Sequence, residues 1–123
     1  MIRKTILSIL FVLFLTACQA TGQSITPQDA QTMMIADPSI VLLDVRTQDE
    51  YNQGYIPGAI LLPLVSLSSQ IETRYPNKNQ IFIIYCRSGI RSREAIEVMM
   101  NLGYKNLHDL GGIIDWPYDI QTS

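Results

Sequence analysis

Residues 81–92 read Ile-Phe-Ile-Ile-Tyr-Cys-Arg-Ser-Gly-Ile-Arg-Ser, and this one stretch limits what the chain can become. An apolar run of strand length ends in Cys86, a short basic loop with a glycine follows, and a helical pattern starts at Ser92. A strand that passes into a helix through so short a loop belongs to an α/β fold with a parallel sheet, whose loops gather at the carboxyl ends of the strands. There the helix N-terminus and the loop amides favour an anion, so a thiolate is stabilised where reactants arrive. Cys86 is therefore the candidate nucleophile.

The rest of the chain repeats the alternation. Thr26-Pro27-Gln28-Asp29 has an N-cap, a proline for the first helical position and an acid for the first turn, and predicts a helix to about Ala36. Residues 40–45 are a β-branched, apolar run suited to a strand buried on both faces. Residues 47–53 form a short polar helix ended by Gly54, 55–58 a turn, and 59–62 a second short strand. Leu64, Leu67 and Ile71 share one helix face over 64–74. Residues 80–85 are the central strand, 92–102 an amphipathic helix with Gly103 as its stop, and 106–110 a last strand. Gly111 and Gly112 open a final turn or helix around Trp116, limited by Pro117. Strands alternating with helices imply a small parallel sheet with helices on both faces. His108, the only histidine, falls in a strand far from Cys86 and reads as structural. Met99 and Met100 read as core filler.

The chain has two cysteines. Residues 1–17 read as a signal peptide: Arg3 and Lys4 precede an apolar core over residues 6–15 that is too short to span a bilayer comfortably. Leu15-Thr16-Ala17-Cys18 resembles a bacterial lipobox, which makes Cys18 the lipidated first residue of the mature protein and 18–24 a polar tether. A thioether at Cys18 cannot form a disulfide, so Cys86 is left as a free thiol in an oxidising compartment, a liability unless it is used. The expected location is the cell envelope, facing the periplasm. Gln19, where an aspartate would favour inner-membrane retention in many Gram-negative bacteria, favours the outer membrane.

Beyond residue 17 the chain carries seven basic and eleven acidic residues. That balance argues against a nucleic-acid footprint. Three of the seven, Arg87, Arg91 and Arg93, cluster beside Cys86, which points to a small anionic substrate. Arg93 is also placed to pair with Glu97 at i,i+4 as an ordinary surface contact.

Several short patterns converge in order: Leu43-Asp44-Val45-Arg46, Glu50-Tyr51, Gly54-Tyr55-Ile56-Pro57-Gly58-Ala59, the Cys86–Ser92 stretch, Gly103-Tyr104, and Leu110-Gly111-Gly112 with Trp116. Together they resemble a single-domain rhodanese of the exported bacterial type, with the domain over 25–118. The resemblance implies a sulfurtransferase that needs no cofactor and no metal. Cys86 would take a sulfane sulfur from thiosulfate or a similar anionic donor as a persulfide and pass it to cyanide or a thiol. The backbone of Arg87, Ser88, Gly89, Ile90 and Arg91 would cradle the anion, with Arg91 and secondarily Arg87 on the sulfonate. Asp44 and Arg46 would brace the first strand, and a monomer is expected. The family usually has histidine where this chain has Tyr55, a change outside the persulfide chemistry.

Two rivals use the same elements. A tyrosine phosphatase puts its arginine six residues after the cysteine, where this chain has Ser92, and needs a larger ring of amides around a tetrahedral phosphate. A non-enzymatic binding module of this fold would have no need of the cysteine and its basic loop, both present here, whereas a sulfur relay to a protein acceptor is compatible with the enzyme reading.

Overall fold

A computed structural model of the chain describes residues 22–123. The signal peptide, Cys18 and most of the tether lie outside the described residues. Within them, ten elements follow in order: β1 (Gln23–Ser24), α1 (Pro27–Ala36), β2 (Val41–Asp44), α2 (Gln48–Gln53), β3 (Ile60–Leu61), α3 (Leu64–Arg74), β4 (Ile81–Cys86), α4 (Ile90–Asn101), β5 (Asn106–Gly112) and a 3₁₀ turn (Ile113–Asp115). The five strands form one parallel sheet in the order β1-β5-β4-β2-β3. β4 therefore sits at the centre, and its carboxyl end is Cys86.

Local chemistry explains the helices that were foreseen. Thr26 and Thr47 each close a capping box, with Asp29 and Glu50 respectively returning a carboxylate to the cap N–H. α3 buries Leu67 and Ile71. α4 buries Ala95, Ile96 and Met99 on the same sheet face, over Leu43, Phe82, Ile84 and Cys86. α1 covers the other face, where Ala30 packs near Leu42, Ile83, Tyr85 and Leu110. Alternation along β4 thus sends Phe82, Ile84 and Cys86 to one side and Ile83 and Tyr85 to the other.

Three boundaries differ from the sequence reading. Gln23 and Ser24, grouped above with the tether, pair in parallel with His108 and Asp109 as an edge strand; two polar residues carry no periodic signal. α4 begins at Ile90, two residues before Ser92, because Gly89 takes the cap position with φ 105° and ψ −8°, a left-handed conformation that suits glycine. Ile90 is exposed and so lies outside the apolar stripe that marks the helix in sequence. β5 runs on through Gly111 and Gly112, with a register shift that sets Gly111 opposite Tyr85 and Gly112 opposite Cys86. The Arg93–Glu97 pair does not form: the three ion pairs among the described residues lie elsewhere.

Candidate functional site

Only Arg87, Ser88 and Gly89 separate the end of β4 from the start of α4. The loop therefore turns tightly around Cys86, which is 1 % exposed and is the one free cysteine among the described residues. The Gly89 N–H donates to Sγ at 3.0 Å. The first-turn amides of α4 follow directly, and helix-end N–H groups have no partner within their own helix. Of the residues expected to cradle an anion, Ile90 and Arg91 thus belong to the first turn of the helix.

The loop is held from behind. Ser92 Oγ lies 2.9 Å from both Gly89 O and Asp109 Oδ1, and the same carboxylate oxygen accepts the Gly111 N–H at 2.8 Å. Asp109 and Ser92 went unrecognised in the sequence as supports, since the contact depends on the β5 register. Gly112 lies against the loop so closely that a Cβ there would stand 2.8 Å from Ser88 Cα and closer still to Arg87 O. Both are backbone atoms and neither has room to give. Gly112→Ala is expected to cost about 1–3 kcal/mol through overpacking and to displace the Gly89 N–H from Sγ; urea denaturation and turnover measured side by side would register both losses.

The arginines divide into two kinds. Arg91 is bound bidentately by Glu50, with Nη1–Oε2 2.7 Å and Nη2–Oε1 2.8 Å. It was expected to be the main contact for a donor's sulfonate, yet its fork is already filled. Arg87 is exposed and has no carboxylate partner among the described residues. Glu50 was not expected as a site residue; the sequence marks it only within the Glu50-Tyr51 pattern and by its spacing from Thr47, with which it closes the capping box.

The Arg91 hydrogen bonds pull the Glu50 carboxyl from 4.5 down to about 2, and the Glu50 hydrogen bonds raise the Arg91 pKa. A carboxyl depressed in the folded state stabilises fully above its unfolded value and loses that contribution as pH falls through the folded one. Glu50→Gln is therefore expected to be less stable than the parent by about 1 kcal/mol at neutral pH. The gap should narrow between pH 4.5 and 2 and vanish below; urea titrations across that range check it.

Asp44 and Arg46 form a second, buried brace. Arg46 Nε donates to Asp44 Oδ1 and Oδ2 at 3.0 Å each, and Nη2 donates to Oδ2 at 2.7 Å and to Gly54 O at 2.7 Å. The Arg46 backbone N–H also reaches Oδ1, at 2.9 Å. Burial opposes the Arg46 charge, but the Asp44 contacts outweigh it and leave its pKa raised. The guanidinium lies 5.6 Å from the ring centroid of Tyr85, whose hydroxyl accepts the Ile56 N–H; burial pushes that phenol upward. These contacts tie β2 to the turn before β3. Tyr55, in the family's histidine position, stacks on Tyr51 at 4.1 Å. Tyr51 Oη in turn donates to Ala59 O, so the turn is closed by aromatic packing. His108 stays distant in β5, opposite Ile83, and burial lowers its pKa.

Fold and site together define an α/β protein with one buried cysteine at the carboxyl edge of a parallel sheet, where a helix N-terminus follows. The chain belongs to the rhodanese-like domain family, whose model matches residues 26–117. It is similar to the Thiosulfate sulfurtransferase PspE of Escherichia coli, at 36% identity over 59% of this chain and 70% of that protein. It is also similar to a Sulfurtransferase of Allochromatium vinosum, at 40% identity over 72% of this chain and 82% of that one. A solved structure described as rhodanese with anions from E. coli superposes with a TM-score of 0.64 at 31% identity. The match covers 68% of this chain and 99% of that one.

Proposed function

We propose that this rhodanese-type sulfurtransferase carries sulfur as a persulfide on Cys86. The observation that bears most weight is the Gly89 N–H on Sγ at the N-terminus of α4, with Arg87 free beside it. The Cys86 thiolate attacks the outer sulfur of thiosulfate. A new S–S bond forms at Sγ, the bond to the inner sulfur breaks, and sulfite leaves with the electron pair. Negative charge persists on the terminal sulfur, where the loop amide and the α4 dipole stabilise it. Arg87 meets the departing sulfonate, while Arg91, held by Glu50, contributes its charge from a fixed position. A thiophile, cyanide or a thiol, then attacks the terminal sulfur and returns Cys86 as thiolate. The names of the E. coli and Allochromatium relatives support the reaction class.

Intact mass after incubation of residues 22–123 with thiosulfate tests the reading. A gain of one sulfur atom, discharged by cyanide, is expected; a folded, reduced protein that gains none would overturn thiosulfate as donor. We further propose that the protein lies at the cell envelope, facing the periplasm and anchored through lipid on Cys18, a reading supported by the lipobox-like Leu15-Thr16-Ala17-Cys18, and that it acts as a monomer. Metabolic labelling with a fatty acid, expected to be lost in Cys18→Ala, checks the anchor.

A further inference from the structure

The cysteine loop is already held from behind by Ser92 and Asp109, so the Glu50–Arg91 pair is not needed to fix it. Arg91 and Glu50 keep 32 % and 27 % of their side-chain surface exposed, and a pair so open to water adds little to a fold. Both Glu50 oxygens are nonetheless taken. Oε1 accepts Arg91 Nη2, while Oε2 accepts Arg91 Nη1 together with the Thr47 N–H and hydroxyl at 3.0 Å each. The capping box thus fixes the carboxylate at the start of α2, where it meets the guanidinium that reaches across from α4. The Glu50 hydrogen bonds, and after them the charges of Glu50 and Cys86, raise the Arg91 pKa, so the guanidinium lies within Coulomb reach of the reacting sulfur. A paired charge acts at a distance as a dipole, whose field falls away faster than that of a lone ion. Of the loop's two arginines beside Cys86, only Arg87 keeps a charge with no carboxylate partner among the described residues.

We propose that Glu50 determines donor specificity in the first half-reaction: by offsetting Arg91 it weakens the site's hold on doubly charged donors and turns it toward singly charged ones, the organic thiosulfonates. The proposal rests on the sulfurtransferase reading and adds the charge class of the donor. Glu50 acts through Arg91, so it is a positioning residue and touches no reacting atom. The bonds exchanged are the same for both donors. The Cys86 thiolate attacks the outer sulfur, an S–S bond forms at Sγ, and the bond to the inner sulfur breaks. Its electron pair leaves on sulfite from thiosulfate and on a sulfinate from a thiosulfonate. Charge is what differs. The energy of an anion in a given field scales with its charge, so doubly charged thiosulfate responds twice as strongly as a monoanion to any change around the loop. In rates, the factor for the dianion is the square of the factor for the monoanion. Glu50 is drawn down to about 2 and stays ionised at every working pH, so the preference is built in rather than switched.

The test compares the full chain with Glu50→Gln and Glu50→Asp, using thiosulfate and methanethiosulfonate as donors and cyanide as acceptor at low ionic strength. The quantity read is kcat/KM for the donor, which in a two-step transfer reports the first half-reaction alone. Glu50→Gln removes the offsetting charge and is expected to raise kcat/KM about tenfold for thiosulfate and about threefold for methanethiosulfonate, the effect of one charge several ångströms from a partly solvated anion. Added salt should shrink both gains. Glu50→Asp keeps the charge and should keep the parent's ratio between the two donors, whereas a residue that only braced α2 against α4 would show no dependence on donor charge. The ratio also cancels any change common to both donors, a loss of folded protein among them. An unchanged ratio in Glu50→Gln, or a Glu50→Asp variant that behaves as Glu50→Gln does, would overturn the proposal. A parent that gains no sulfur from either donor would instead sink the sulfurtransferase reading beneath it.

Discussion

Cys86→Ser is expected to remove sulfur transfer entirely while leaving the fold intact. The substitution is nearly isosteric, and the core cluster to which Cys86 belongs is otherwise built from side chains that do not depend on sulfur, among them Leu43, Phe82, Ile84, Ala95 and Met99. Stability should therefore change by no more than about 1–2 kcal/mol, the range for a small polar change in a packed interior where a hydrogen-bond partner persists. That partner exists, because the Gly89 N–H already points at the side-chain atom. Chemistry is another matter. A serine hydroxyl is un-ionised at any working pH, oxygen is a poor nucleophile toward sulfur, and no histidine stands beside the loop to take its proton. Thiosulfate:cyanide turnover should fall to the rate without enzyme, and intact mass should show no added sulfur. Residual transfer above about one part in a thousand of the parent rate would mean that binding and the loop's charges alone supply more catalysis than they do in other nucleophilic enzymes.

What could be read in the sequence was what physics writes locally. Thr26 and Thr47 begin helices because a hydroxyl three residues from a carboxylate closes a capping box wherever it stands. The position of Cys86, at the end of a strand and just before a helix, was legible for the same reason: strand, short basic loop and helix are contiguous, and their geometry needs no distant partner. The features that escaped are long-range. Glu50 and Arg91 meet across 41 residues, and nothing near Arg91 says that its fork is occupied; read locally, it looked free to bind a sulfonate. Asp109 supports the loop only because β5 shifts register beside Tyr85, and Gly112 matters only because that shift lays it against Arg87 and Ser88. Gln23 and Ser24 became a strand by finding an edge, which a polar dipeptide cannot announce. The ordered resemblance carried the fold across this gap, since the order of motifs encodes a topology that no one motif contains.

The largest stability effect is expected at Asp44. Its carboxylate is 0 % exposed and is saturated by Arg46, which donates to it from Nε, Nη2 and the backbone N–H. Asp44→Ala removes the counter-charge and leaves a buried guanidinium facing a void, with only Gly54 O remaining as an acceptor. Breaking a buried pair in this one-sided way costs about 3–5 kcal/mol. That is a large share of the roughly 5–15 kcal/mol that holds a domain of this size, equivalent to a fall in Tm on the order of 15 °C. The sign of the next step separates two accounts of the pair. If its worth is mainly the avoidance of an unpaired charge, Asp44→Leu/Arg46→Met, which replaces both partners with apolar groups of similar size, should recover at least half of the loss. If the pair instead holds the turn before β3 through the Arg46 contact with Gly54 O, the double variant should stay as unstable as Asp44→Ala, because that carbonyl loses its donor as well. The contacts favour recovery. Tyr85 Oη still receives the Ile56 N–H, and Leu62 N–H still donates to Asp44 O from the backbone, so β2 and the turn stay joined without the charges. Thermal unfolding of the three proteins, with thiosulfate turnover of each at a temperature where all are folded, should show a deep loss in the single variant and a partial return in the double. Turnover should be affected little in either, because both side chains are spent on each other and on Gly54 rather than on the cysteine loop.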